Sequence, residues 1–436
     1  MGSCPETLLG RVSVTDVPLD HDIRYKRPAY DLIPQDERLA LAVGPDGLAQ
    51  VAWLENELTR VHVTPLTAAG NRRDEDSIVP ARDIGGLVLH SDGFALLTRR
   101  DDPGEPLRDL NPTTPTLATA AVLLRYRNGQ EEFAAPLTGT AQLDPNLSEA
   151  EKRDCAPRPF LSRLVYNGQK YGAYFTVHGC EGHPRERYYA DKLSYVDDQG
   201  GFVPGGWAWN CSINEGVRLL PEAGAFTSLC MAVTFPAPGL NLVIGGRASV
   251  PLAEEYTTGA YSGGEFGSVV KLGDGSYFVG WLSRGENPGQ TPADIVFQLL
   301  GPDYRPRIPT TRLSETPTVA EKNLHFARYG SDKLLMVWDS VEELRWINDQ
   351  TCFGTYTGTH LRLIDLAGNP VSDDEVIAVP PNAEDEIVVY PNGDLGWAFV
   401  REDARGYAGP LRSDRDGVPD VPTKRLLSIV RMRYCQ

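Results

Sequence analysis

Short apolar runs separated by tight polar turns make up most of the chain. One such stretch reads VVKLGDGSYFVGWLSRG, from Val269 to Gly285, in which a Gly-Asp-Gly turn joins two apolar runs. Apolar and polar residues alternate within such runs, as expected for strands whose successive side chains point to opposite faces. Tight hairpin turns favour Gly, Asn and Asp. The stretch is therefore predicted to be a β-hairpin.

Seven copies of this hairpin pattern occur along the chain. The turn position falls at Gly47, Gly93, Gly172, Gly224, Gly275, Asp332 and Gly393, and five of the six spacings lie between 46 and 61 residues. Six positions beyond the turns stand Trp53, Arg99, His178, Cys230, Trp281, Trp338 and Phe399. A variable loop and a third strand with its own turn follow each hairpin, so each unit offers four short strands, A to D. The units cover about residues 36–84, 85–158, 159–212, 213–263, 264–317, 318–383 and 384–436.

Four-stranded units that repeat every ~40–60 residues are typical of a β-propeller. A single blade cannot bury both of its faces, whereas blades stacked around an axis can. A pair of β-sandwiches is the alternative, but seven copies exceed what it needs. We therefore expect residues 1–436 to form a single all-β domain, a seven-bladed β-propeller with four antiparallel strands in each blade.

The two ends of the chain are predicted to complete one blade. The seventh unit supplies strands A, B and C only, and the segment RVSVTDVPL at residues 11–19 fits as its missing outer strand. Cys435 follows strand C and Cys4 precedes the N-terminal strand, so we expect a Cys4–Cys435 disulfide. A lipid anchor on Cys4 is the alternative, because it would use the same thiol.

The remaining cysteines suggest two further disulfides on one face of the propeller. Connectors between units and B–C loops should emerge on the same face, which favours the pairs Cys155–Cys180 and Cys211–Cys230 and leaves Cys352 over. Disulfides indicate an oxidising compartment. Buried thiols are the alternative for these residues.

Composition excludes several classes of partner. The formal net charge is −17 and the isoelectric point is about 4.9, so the surface repels phosphate backbones and anionic lipid. We therefore expect no nucleic-acid partner. No apolar run approaches the ~18–20 residues that span a bilayer, and residues 1–20 lack the apolar core of a signal peptide.

The B–C loops form the candidate binding surface. The A–B turns are minimal, whereas the B–C loops are long and varied and should share the opposite face. We expect this face to bind a carbohydrate, a small molecule or a protein. The candidate binding residues are Trp207, Trp209, Tyr189, Arg99, Trp346 and Tyr356. Residues 342–349, EELRWIND, are predicted to form one or two helical turns within the sixth loop.

The third B–C loop and the strand residues beside it are the richest in chemistry. Catalytic candidates there are His178 and His183 as bases, Tyr188 as an acid and Arg185 to neutralise a carboxylate, which would suit a glycan lyase or hydrolase. A second interpretation is a transition-metal site formed by His178, His183 and Asp191. Two others are a disulfide-pinned surface loop whose arginines pair with the acidic body, and a binding surface without chemistry.

The last B–C loop contains a candidate calcium site. The sequence SDRDGVPD places Asp414, Asp416 and Asp420 around Gly417 and resembles the calcium loops of thrombospondin type 3 repeats. Calcium takes six to eight oxygen ligands, which alternating Asp residues begin to supply. Arg412 stands where the full pattern has another Asp. A solvated acidic turn is the alternative. Calcium is therefore the cofactor that we expect, beside the transition metal of the third-loop interpretation.

The repeats resemble those of bacterial extracytoplasmic β-propeller proteins of unknown function, many of which look like secreted proteins or lipoproteins. GDGSYFVGW, LRLIDLAGNPVSDDEV, KYGAYFTVHGCEGH and DKLSYVDDQGGFVPGGWAWNCS carry the resemblance, which spans residues 39–435. It implies a location outside the cytoplasm and transfers no catalytic residue. We therefore expect an extracytoplasmic ligand- or partner-binding propeller, with a glycan-active lyase or hydrolase as the alternative function.

Overall fold

Apart from one turn of 3-10 helix at Leu9–Arg11, the regular elements of the described residues are all β-strands. The structure is a computed structural model of the chain. The residues that it describes are 4–23, 39–55, 60–101, 119–137, 158–179, 188–208, 217–232, 239–244, 248–251, 267–283, 292–346, 352–382, 385–400 and 424–435.

The strands are given in chain order and grouped by sheet. The N-terminal strand is β1, Val12–Ile23. Blade 1 contains β2 (Ala40–Val43), β3 (Ala49–Leu54), β4 (Arg60–Pro65) and β5 (Ser77–Pro80). Blade 2 contains β6 (Gly86–His90), β7 (Gly93–Asp101), β8 (Thr119–Arg127) and β9 (Gln130–Pro136). Blade 3 contains β10 (Arg158–Tyr166), β11 (Lys170–Gly179), β12 (Tyr188–Asp197) and β13 (Phe202–Ala208).

The second half of the chain repeats this order. Blade 4 contains β14 (Val217–Glu222), β15 (Ala225–Ala232), β16 (Gly239–Ile244) and β17 (Ala248–Pro251). Blade 5 contains β18 (Ser268–Lys271), β19 (Tyr277–Ser283), β20 (Asp294–Leu300) and β21 (Pro306–Arg312). Blade 6 contains β22 (Ala320–Tyr329), β23 (Lys333–Trp346), β24 (Cys352–Asp365) and β25 (Glu375–Ile377). Blade 7 contains β26 (Val388–Val389), β27 (Leu395–Val400) and β28 (Lys424–Met432) together with β1.

Seven four-stranded antiparallel sheets confirm the predicted fold class, a seven-bladed all-β propeller. Blades 1 to 6 each use four consecutive strands in the order A-B-C-D, whereas the order in blade 7 is β1-β28-β27-β26. The N-terminal strand thus takes the outer position that the sequence left vacant. Among the described residues, no helix has the length and apolarity that crossing a bilayer requires.

The chain divides into two compact units. The first contains Met1–Val51, Thr64–Glu75 and Glu255–Gln436, and the second contains Ala52–Val63 and Asp76–Glu254. Blades 5, 6 and 7 belong to the first unit, and blades 2, 3 and 4 belong to the second.

Aromatic side chains fill the seams between neighbouring blades within each unit. In the first unit, the Phe278 ring stacks on Phe297 at 4.7 Å and meets Phe326 of the next blade edge-on at 5.0 Å. In the second unit, the rings of Tyr195 and Phe226 meet edge-on at 5.1 Å between blades 3 and 4. Burying one such ring contributes roughly 1.5–3 kcal/mol, and aromatic pairing adds to this. The seams are therefore the main apolar cores.

The A–B turns use glycines with positive φ, which only glycine adopts without strain. Gly47, Gly275 and Gly393 have φ values of 79°, 83° and 88°. In the third unit the sequence placed the turn at Gly172, but the turn glycine is Gly168, with φ of 88°. Gly172 lies within β11, where a Cβ atom would sit 2.8 Å from the ring of Phe226. Its lack of a side chain serves seam packing.

The two chain ends are joined in blade 7 as predicted. The register of β1 on β28 pairs Val12 with Met432 and Leu427 with Val17, whose side chain is fully buried. Cys4 and Cys435 form a disulfide with Cα atoms 6.0 Å apart. This bond uses the Cys4 thiol that the alternative, a lipid anchor, would require.

Removing the Cys4–Cys435 disulfide should lower stability while leaving the fold intact. A disulfide that closes a loop of this length restricts the unfolded chain, so we expect Cys4→Ser/Cys435→Ser to lose about 2–5 kcal/mol. The urea and thermal unfolding midpoints of the oxidised wild type and the double variant measure this. Cys352→Ser is the control and should leave both midpoints unchanged. Equal midpoints for wild type and double variant would contradict the closing role.

Candidate functional site

Blade 6 extends beyond its own sheet at the B–C loop end. β23 and β24 each contain 14 residues, and their register continues from Ser340↔Gly358 to Trp346↔Cys352. β22, which is strand A of this blade, pairs with β23 only as far as Val341. Residues 342–346 and 352–355 therefore form a two-stranded extension, named here the blade-6 ribbon. The helical turns predicted at 342–349 are wrong for residues 342–346, where cross-strand pairing replaces them.

A hydrogen-bonded chain of three side chains lies at the base of the blade-6 ribbon. The carboxylate of Asp374 contacts Nδ1 of His360 at 2.9 Å, and Nε2 of His360 lies 2.9 Å from Oγ of Ser340. The ring of Trp338 stacks on the imidazole with centroids 4.9 Å apart. Trp338 and His360 are register partners, so the two rings share one face of the sheet. We call Asp374–His360–Ser340 the blade-6 relay.

Blade 1 contains the same arrangement with one chemical difference. Nδ1 of His62 lies 3.1 Å from Asp76, and its ring stacks on Trp53 at 4.0 Å. The histidine and aspartate are 14 residues apart in both blades. In blade 1, however, Nε2 of the histidine faces the carboxylate of Glu55 at 3.3 Å, whereas in blade 6 it faces a serine hydroxyl.

A buried carboxyl group lies across the strand from Ser340. Glu321 is its register partner on β22, and one carboxyl oxygen of Glu321 accepts the backbone N–H of Ile295 in blade 5 at 2.8 Å. The hydroxyl of Ser314 contacts the same oxygen. Burial raises the pKa of Glu321 to about 7, and the hydrogen bonds from Ser314 and Ile295 only partly oppose this rise. Glu321 thus changes charge near neutral pH inside the seam.

A second polar network occupies the next position of the same strands. Oδ1 of Asp339 accepts the Thr359 hydroxyl at 2.6 Å, and Oδ2 accepts the Asn323 amide at 2.9 Å. The hydroxyl of Tyr356, one of the predicted binding residues, lies 2.7 Å from Oγ1 of Thr359. Burial, followed by the charge of Asp339, raises the pKa of the Tyr356 phenol. The half-buried Tyr356 is thereby fixed beside the ribbon.

In blade 3, two predicted site residues, Asp191 as a metal ligand and Trp207 as a binding residue, are buried together with Tyr174. Asp191 is 0% exposed, and its Oδ2 accepts the Tyr174 hydroxyl at 3.0 Å and the Trp207 indole N–H at 3.2 Å. Trp207, a predicted binding residue, is 7% exposed. The backbone of His178 pairs with that of Tyr189, and Gly179 pairs with Tyr188. Asp191 therefore anchors two aromatic residues of its own blade.

The remaining predicted site residues contribute less to the described structure. Arg99 is buried on β7. The side chains of His178, Tyr188, Tyr189 and Trp346 lie outside the described part of the chain, as do all atoms of His183, Arg185, Trp209, Asp414, Asp416, Asp420, Cys155, Cys180 and Cys211. Cys230 is disulfide-bonded. Within the described ranges, no group of three or more His, Cys, Asp or Glu side chains is placed to hold a metal ion. The calcium and transition-metal sites stay predictions.

Ser340, His360, Asp374 and Glu321 are not among the site residues predicted from the sequence. The sequence does contain a signal for the first three. The first and sixth units share a Trp-x-Glu or Trp-x-Ser sequence at the end of strand B, and in both units a histidine further along is followed by an aspartate 14 residues later. Glu321 has no such signal, since its environment depends on the neighbouring blade.

Comparison with known proteins supports no transfer of activity. No protein-family model and no curated protein matches the sequence. A protein of unknown function from Dyadobacter fermentans is 12% identical, with 78% of this chain and 97% of that chain covered and a TM-score of 0.41. A Penicillium chrysogenum alpha-L-arabinanase complexed with arabinobiose is 12% identical, with coverage of 95% and 98% and a TM-score of 0.39. An endo-arabinase from Bacteroides thetaiotaomicron is 11% identical, with 73% of this chain and 87% of that chain covered and a TM-score of 0.31.

Glu321 should make stability fall as pH rises through the neutral range. Its folded pKa of about 7 lies above the ordinary 4.5, so its contribution is complete below about pH 4.5 and is lost as pH approaches 7. At ~1.4 kcal/mol per pKa unit, the loss is roughly 3 kcal/mol. Glu321→Gln keeps an acceptor for Ile295 and Ser314 but cannot ionise. We therefore expect the variant to gain stability relative to wild type between pH 5 and pH 8.

Urea unfolding midpoints at the two pH values measure this difference. The exposed Glu315→Gln is the matched control and should follow wild type at both. Parallel pH dependences for wild type and Glu321→Gln would show that the buried carboxyl does not titrate in this range.

Proposed function

We propose that this protein is an extracytoplasmic binding propeller that holds a neutral carbohydrate at the B–C loop end of blade 6. The observation that carries the proposal is the blade-6 ribbon, which continues past the inner and outer strands of its blade beside two hydrogen-bonded polar networks. A propeller blade needs no such extension for its own packing. An element that leaves the sheet at the loop-bearing end is suited to contact a ligand.

The chemistry at the base of the ribbon suits a ligand rich in hydroxyl groups. The side chains of His360, Arg362 and Asp374 are 21%, 25% and 30% exposed, and they offer donors and acceptors in fixed planes. Asp374 contacts both of the others, at 2.9 Å and 3.4 Å, so their orientation is set before a ligand arrives. The net charge of −17 repels acidic polysaccharides and favours neutral ones.

The oxidised cysteines support a location outside the cytoplasm. The Cys4–Cys435 disulfide and the disulfide-bonded Cys230 are stable in an oxidising compartment and rare in reducing ones. A secreted, periplasmic or surface-attached protein is consistent with both.

A glycan-active hydrolase is the second candidate function. Two neighbouring carboxyl groups favour it: Glu321 is buried with a raised pKa, and the charge of Asp294, which pairs with Arg312 at 2.5 Å, contributes to that rise. Glycosidases use such a pair, one group as acid and the other as base or nucleophile. Release of reducing ends from a bound polysaccharide would establish this function, and binding without release would reject it.

Shortening the blade-6 ribbon should weaken carbohydrate binding without unfolding the protein. Glu342 and Thr355 are register partners, so an Asn-Gly turn can replace residues 343–354 and close the hairpin. We expect wild type to be retarded in gels that contain neutral polysaccharides and not in gels that contain polygalacturonate. The shortened variant should bind at least ~10-fold more weakly, a loss of about 1.4 kcal/mol.

The control is Asp332→Ser, in the A–B turn at the opposite end of the same blade. This variant should migrate like wild type. Either of two results would reject the proposal: no neutral polysaccharide retards the wild type, or the folded shortened variant binds as tightly as wild type.

A further inference from the structure

We infer that the blade-6 relay is a nucleophilic acyl-transfer site, with Ser340 as the nucleophile, His360 as its base and Asp374 as the residue that orients the base. The substrate class is a carboxylic ester. The inference does not depend on carbohydrate binding, because it rests on the geometry of three side chains and on their comparison with a second copy in the same chain.

The distances are those that nucleophile activation requires. His360 lies 2.9 Å from the Ser340 hydroxyl through Nε2 and 2.9 Å from Asp374 through Nδ1. A hydroxyl, an imidazole and a carboxylate in this order let the imidazole take the hydroxyl proton while the carboxylate stabilises the resulting imidazolium. Stacking on Trp338 holds the ring in the plane that both hydrogen bonds need.

Blade 1 shows what the same arrangement looks like when it serves structure alone. The side chains of His62 and Asp76 are 2% and 6% exposed, and the third group is the carboxylate of Glu55, itself 6% exposed. A carboxylate locked between Arg60 and an imidazole links the strands of its blade, and this copy is sealed from solvent. In blade 1 the Trp–His–Asp arrangement therefore serves packing within the blade.

Blade 6 departs from that copy in two respects, and both favour chemistry. A hydroxyl replaces the carboxylate at the third position, and the histidine and aspartate are opened to 21% and 30% exposure. A substrate can thus reach the imidazole from the solvent side. Ser340 itself is 5% exposed, at the base of the ribbon, with the Thr357 hydroxyl 2.7 Å from its Oγ. The Thr357 hydroxyl, which also donates to the backbone carbonyl of Ser340 at 3.2 Å, would be the donor for charge that develops on the substrate's carbonyl oxygen.

The reaction would follow two balanced steps. Oγ of Ser340 attacks the ester carbonyl, and its proton passes to Nε2 of His360; collapse of the tetrahedral intermediate breaks the C–O bond, and the same proton leaves with the alcohol. Water then attacks the acyl-serine through His360, which releases the carboxylic acid and restores the hydroxyl. No oxidant, metal or cofactor takes part in either step.

A fluorophosphonate probe on the full-length oxidised protein tests the inference directly. Ser340 Oγ displaces fluoride from the probe, which adds the mass of the phosphonyl group to one tryptic peptide. We expect mass spectrometry of labelled wild type to place this adduct on Ser340. Ser340→Ala should lose the adduct, and His360→Ala should lower the labelling rate about 100-fold or more. Because the adduct is located on wild-type protein, the test does not depend on whether a variant folds.

His62→Gln in blade 1 is the matched control. It removes the structural counterpart, so it should lower the thermal midpoint and leave the labelling rate within about twofold of wild type. Folded wild type that takes up no probe at Ser340, or labelling that is as fast in folded His360→Ala, would overturn the inference and assign both copies to structure.

Discussion

The antiparallel pairing of β1 with β28 is the interaction on which blade 7 depends. Without it, the seventh sheet has three strands, and the apolar face of β28 lacks its outer neighbour. Val17 and Leu19 of β1 are 0% and 6% exposed, so the strand contributes core as well as hydrogen bonds. The chain ends are tied down further. The carboxylate of Asp394 accepts a hydrogen bond from the backbone N–H of Tyr434, and the hydroxyl of Tyr329 accepts one from the backbone N–H of Cys435. Closure is thus shared among strand pairing, side chains and a disulfide.

Most of the fold was predictable because its signals are local. Glycines with positive φ mark turns at a constant phase, as at Gly47, Gly275 and Gly393, and strand alternation fills the intervals. Counting turns therefore counts blades. The prediction failed at residues 342–346, where good helix formers are drawn into the β23–β24 pairing because hydrogen bonds between strands outweigh weak intrinsic preference.

The candidate site was predicted less well for a physical reason. His62 follows Trp53 by 9 residues, whereas His360 follows Trp338 by 22, because the B–C loop between them differs in length. Only the spacing between the histidine and the aspartate is the same in blades 1 and 6, because the C–D turn between them has the same length in both blades. The raised pKa of Glu321 was beyond sequence reasoning altogether, because it arises from burial in the seam against blade 5.

Pairing residues 12–23 with residues 424–432 in one blade leaves β1 without its partner during part of synthesis. β1 ends at Ile23 and its partner begins at Lys424, so about 400 residues are synthesised between the two strands. At ~5–20 residues per second, the interval is on the order of tens of seconds, during which β1 is an unpaired strand that could pair with other chains. Its solvent-facing Asp16, Asp20 and His21 keep that strand hydrated while it waits. In the finished blade Asp16 accepts the Ser428 hydroxyl at 2.8 Å and Asp20 pairs with Arg72 at 2.6 Å, so the same polar residues serve both the nascent and the folded chain.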